Sequence, residues 1–174
     1  MRKVTSFRIV LMLILIITLT NCQAPKTSPL RDRIKNEAEK MCNSLVNKNY
    51  EGFVTYMYPP LIELMGGKEK VIDILRKGLP EGSTIERVKI SYPSDTIMIN
   101  NQIQCTLKED IEMNVKGGKL LSTSTLIGIS DDHGKIWYFL DANSKSLVTL
   151  KRNFPDLSGR LILEESLKPI YTKE

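Results

Sequence analysis

Glu109 is the side chain whose type and position best suit chemistry. It stands between Leu107 and Ile111 in an alternating run that assigns it to the buried face of a strand, where an unpaired carboxylate is costly. Such an acid either faces a pocket, as a functional proton donor or acceptor would, or leaves the face through a kink over Lys108 to Asp110. The kink is the expectation. Trp137 and Phe139 share one face of a later strand and, with Tyr56 or Phe53, could line a pocket. Aromatics so spaced more often simply fill a core.

The remaining reactive residues suggest less. His133 is the only histidine and lies among Asp131, Asp132 and Gly134 in a turn, whereas a general base works from a cleft, so it reads as a solvated turn residue. That turn also lacks the spaced acids and closing Glu of a calcium loop. Cys42 and Cys105 fall on apolar faces; they read as two buried thiols, with a disulfide the alternative for an exported chain. Two cysteines and one distant histidine make no metal-ligand set. In Gly66-Gly67-Lys68, Glu69 occupies the place where a phosphate loop needs Ser or Thr. No hydrolase, metalloprotease or dinucleotide fingerprint occurs, so neither cofactor nor metal is expected.

The third cysteine, Cys22, closes a leader. Arg2, Lys3 and Arg8 precede an apolar run from Ile9 to Ile17 and a polar exit, the three parts of a secretory signal peptide. The run is shorter than the about 20 residues a membrane span needs. Leu19-Thr20-Asn21-Cys22 resembles the lipobox of bacterial lipoproteins, with Asn21 departing from the usual small residue. That resemblance implies diacylglycerol on the Cys22 sulfur, cleavage before it and acylation of the new amine. Residues 1–21 are then a signal peptide and 22–30 a polar tether, and the expected destination is the outer membrane, on either face.

Removing the three leader cations lowers the formal net charge from +5 to +2. No basic stripe with interleaved aromatics follows, so nucleic acid is not an expected partner. The rest is long enough for one self-supporting core.

Helical spacing recurs first. Ser28-Pro29 suits a cap and first turn, and Ile34, Ala38, Met41, Cys42 and Leu45 mark one apolar face. Tyr50, Phe53, Val54 and Met57 mark a second helix after Asn49, Pro59-Pro60 interrupts it, and Lys68 to Lys77 forms another after Gly66-Gly67. From Val88 the period becomes two. Odd positions from Ile97 to Val115 are apolar except Asn101 and Glu109, and even ones are polar except Met98. That predicts a sheet with one buried face and one wet face. Gly117-Gly118 suits a hairpin loop, Leu120 to Ser130 the return strand, and Ile136 to Asp141 the next. A short helix near Leu147 to Leu150 and an apolar clasp, Leu161 to Leu163, follow, with 164–174 expected to be loose.

The order predicts an α+β domain over 31–163, its N-terminal helices packed on a curved antiparallel sheet. Tyr56-Met57-Tyr58-Pro59, Gly66-Gly67-Lys68, Gln104-Cys105, Leu126 to Ser130 with Asp131, and Gly134-Lys135-Ile136-Trp137-Tyr138-Phe139 resemble small Gram-negative lipoproteins of unassigned role. Those are similar to the nuclear transport factor 2-like, cystatin-type cone superfamily. The resemblance implies a cone fold over roughly Arg31 to Leu163. Ketosteroid isomerase-like enzymes of that superfamily use acids and tyrosines within the cone, but none of their motifs maps onto this chain.

Three functions stay open at this level. One is a lipid-anchored, non-catalytic domain binding a small molecule or envelope protein. Another is a small isomerase, dehydratase or hydrolase using Glu109. The third is a subunit pairing sheet to sheet, with itself as a homodimer or with a partner.

Overall fold

A computed structural model describes residues 28–142, 145–164 and 168–173. The leader, the lipobox and Cys22 lie outside the described residues. Helix α1 (Pro29–Val46) starts where Ser28 accepts the Arg31 N–H and Pro29 fills the first turn. Its buried residues, Ile34, Ala38, Met41 and Cys42, form one stripe at helical spacing. Helix α2 (Tyr50–Val54) is capped by Asn49, α3 (Pro59–Leu64) begins at the two prolines, and α4 (Lys68–Lys77) buries Val71 and Ile72. Gly66 and Gly67 have φ of 93° and 97°, a region that disfavours other residues and breaks the path between α3 and α4.

The sheet is antiparallel, curved and unclosed. Strand β3 (Gln102–Val115) pairs on one side with β1 (Thr84–Ile90) and β2 (Ile97–Ile99), and on the other with β4 (Gly118–Ser130). Beyond β4 lie β5 (Tyr138–Asp141) and β6 (Ile170–Lys173). Asn100 and Asn101, with φ of 46° and 63°, turn β2 into β3; asparagine tolerates that region better than most residues. Met57 bridges to Phe139, whose N–H donates to the Tyr56 carbonyl at 2.7 Å and whose carbonyl accepts the Tyr58 N–H at 2.9 Å. The helical layer is thereby tied to the β5 edge.

Four expectations are corrected. The β3–β4 pairing runs unbroken from Ile103–Ser130 to Val115–Gly118, so no kink releases Glu109. The hairpin loop is Lys116-Gly117, with Gly118 already in β4. Gly118 must lack a side chain because a Cβ there would lie 2.1 Å from the Thr172 carbonyl of β6. The tail expected to be loose pairs with β4 over Ile170–Lys173, Gly118 opposite Lys173.

The wet face is the fourth. On one face α1 covers Cys105, Leu107, Leu126, Trp137 and Phe139. On the other, Ile127, Ile129 and Leu140 are covered by Leu150 of α5 (Leu147–Asn153) and by Phe154, Leu157 and Leu161. Residues 125–130 are consequently all buried, and the outer face is open to water only toward the far ends of β3 and β4. The apolar pair Leu126-Ile127 already departs from strict alternation, the sign of a strand covered on both sides.

Candidate functional site

Glu109 sits on the α1 face of β3 and is only 5% exposed. Among the described residues it is the one buried charged side chain. Two donors reach it. Ser124, opposite in the β3–β4 register, donates to Oε2 at 3.0 Å, and the Cys42 thiol of α1 points at Oε1 from 3.5 Å. The carboxyl therefore links the helix to two strands of the sheet.

Burial pushes its pKa from 4.5 up to about 7, and the nearby charge of Asp141 adds to the rise. The hydrogen bonds from Ser124 and Cys42 oppose it, while Asp110 raises it slightly further. The Cys42 thiol is pushed far above its ordinary value by burial and then by Glu109. Burial likewise pushes Cys105 up to about 12. Both cysteines are free and buried, so the disulfide alternative gives way to two protonated thiols, poor nucleophiles and poor metal ligands.

An acid with such a pKa has the affinity a general acid or base needs. It lacks an approach. Trp137 and Phe139, each 2% exposed, pack into one core cluster with Cys42, and Phe53 and Tyr56 close over it. The residues proposed to line a pocket do meet, but as core. Trp137 Nε1 spends its donor on the Gly134 carbonyl at 3.2 Å. His133 is exposed at φ 63° in a turn held by Asp132, which accepts the Lys135 and Ile136 N–H groups. Among the described residues, no group of three or more His, Cys, Asp or Glu is placed to hold a metal ion.

The open grooves lie on the outside. One, of about 290 Å³, runs over the exposed sheet face between Lys89, Lys108, Asp110, Thr123 and Lys168. A second, of about 250 Å³, lies at the sheet edge beside Arg31 and Thr125. Neither is lined by Glu109, Trp137 or Phe139.

Sequence reasoning missed Ser124, and a one-residue error explains it. A loop at Gly117-Gly118 puts Leu126 opposite Glu109, whereas the observed loop at Lys116-Gly117 brings up Ser124. Arg31 and Thr125 carry no motif. Only the fold brings them together.

These features define an α+β domain with a sealed carboxyl and charged outer grooves. The chain matches no protein-family model, and no curated protein is significantly similar to it.

Proposed function

We propose that the chain is a lipid-anchored protein of the cell envelope, held at the outer membrane through Cys22, whose folded part is a non-catalytic binding domain. The observation that carries the non-catalytic half is the closure of Glu109. An isomerase, dehydratase or hydrolase would need that acid in contact with substrate, and it lies beneath α1 with both oxygens engaged. The charged outer grooves support binding from outside the core. Helices leading into a curved, unclosed antiparallel sheet support a nuclear transport factor 2-like cone. A net charge of +2 after loss of the leader supports a partner other than nucleic acid. Pairing through the β1 edge is disfavoured by Glu86, Arg87 and Lys89 and by a register shift between Ile85 and Arg87, devices that blunt an edge.

The anchor is carried by the leader and Cys22. Among the described residues no helix is long and apolar enough to cross a membrane; in the proposed form the lipid on Cys22 holds the protein at the membrane. Replacement Cys22→Ala should move the protein from washed membranes to the soluble fraction. Retention of the variant in those membranes would overturn the lipid anchor.

A further inference from the structure

The groove at the sheet edge is built where β1 gives way to β2. Ser91 and Ser94 stand in for a neighbouring strand there, their hydroxyls accepting the Lys108 and Thr106 N–H groups at 2.9 and 3.0 Å. Their own N–H groups donate to the carbonyls of the same two residues. The space left beside them is about 250 Å³ and is lined by Arg31 of α1, Lys108 and Thr106 of β3, and Thr125 of β4. Glu164 is its one lining carboxylate. Lys108 also pairs with Asp110 at 3.3 Å on the neighbouring sheet face, which leaves the Arg31 guanidinium as the cation without a carboxylate in ion-pair contact among the described residues.

Among the described residues, two buried side-chain polar atoms have no hydrogen-bond partner: Arg31 Nε and Thr125 Oγ1. Both belong to residues that line this groove. Thr125 is only 4% exposed, and the Arg31 guanidinium is fixed by a bond to the Pro93 carbonyl. Native folds rarely leave buried polar groups unsatisfied unless a water or an ion completes them. Guanidinium, ammonium and hydroxyl groups share one complementary ligand chemistry, an anionic oxygen acceptor.

We infer that this groove binds a small oxyanion, a phosphate, sulfate or carboxylate group, with Arg31 and Lys108 balancing its charge and Thr125 and Thr106 donating hydroxyl hydrogens. The site gives the binding reading above its ligand chemistry and is independent of the anchor. Loss of phosphate binding with membrane attachment intact would remove the site alone, and the converse would remove the anchor alone.

The test is the thermal midpoint of the full-length chain in detergent at about pH 7.5, in phosphate against chloride of equal ionic strength. Phosphate should raise the midpoint by several degrees and saturate, because a ligand that binds only the folded state stabilises it by mass action. Lys108→Gln, a change at a partly exposed side chain, should weaken the response. Arg31→Lys, which keeps the charge but loses the planar fork, should abolish it. Thr125→Val removes the unpartnered hydroxyl and should melt no lower than the parent in chloride while responding less to phosphate. A stronger response to glycerol phosphate than to inorganic phosphate would assign the anion to an ester such as a lipid headgroup; equal responses would assign a free ion. No phosphate-specific rise, or an equal rise in the parent and in both cation variants, would show that water alone fills the groove and would overturn the site.

Discussion

Raising the pH from 4.5 to about 8 should lower the unfolding free energy by about 3 kcal/mol, and Glu109→Gln should remove most of that slope. The sign follows from the direction of the shift. In the unfolded chain the carboxyl titrates near 4.5, while burial and the charge of Asp141 hold it at about 7 in the fold. Below 4.5 both states are protonated and the penalty is absent. Between the two values only the folded state retains the proton, so stability falls as the pH rises, and above about 7 the loss is complete. Glutamine resembles the protonated acid in charge and shape; its carbonyl can take the place of the oxygen that accepts from Ser124, with its amide standing where the other oxygen faces Cys42. Denaturant titrations of parent and variant across this range measure the difference. An unchanged slope in Glu109→Gln would place the pH dependence elsewhere.

Gln104→Leu should cost about 2 to 4 kcal/mol despite the similar volume, since the buried Ser158 N–H would lose its partner at about 1 to 3 kcal/mol and the part-buried Asp156 carbonyl a hydrogen bond worth about 1 kcal/mol. Gln104 is fully buried. Its Oε1 accepts the Ser158 N–H at 2.8 Å and its Nε2 donates to the Asp156 carbonyl at 3.0 Å. These bonds pin the C-terminal segment over Ile127, Ile129 and Leu140, where Phe154, Leu157 and Leu161 complete the second core. The loss should therefore show as faster amide exchange over residues 150–161 before global unfolding. Unaltered exchange there would mean that apolar packing alone holds the segment.

The regular elements were legible in the sequence because their periods are local. Ile34, Ala38, Met41 and Cys42 announce one face of α1, and the odd positions of β3 announce the covered face of the sheet. The α+β class followed from their order. What stayed hidden depends on residues far apart in the chain. Glu109 keeps its place in the strand because Ser124 and Cys42 supply donors, the latter 67 residues away. Gln104 reads as a polar residue on a wet face, yet it is buried because residues 154–161 fold back over it. The candidate anion groove depends on α1 reaching the edge of a strand more than 70 positions later in the chain. Alternation marks which face a residue occupies; it carries no record of what later covers that face.

Glu109 is a structural acid sealed between α1 and the sheet. Carbon-13 carboxyl titration of Glu109 by nuclear magnetic resonance, with a soluble paramagnetic probe added, tests it most directly. The sealed carboxyl should titrate with a midpoint of about 7 and give a signal the probe leaves unbroadened. A midpoint near 4.5 together with strong broadening would place the carboxylate in water and contradict it.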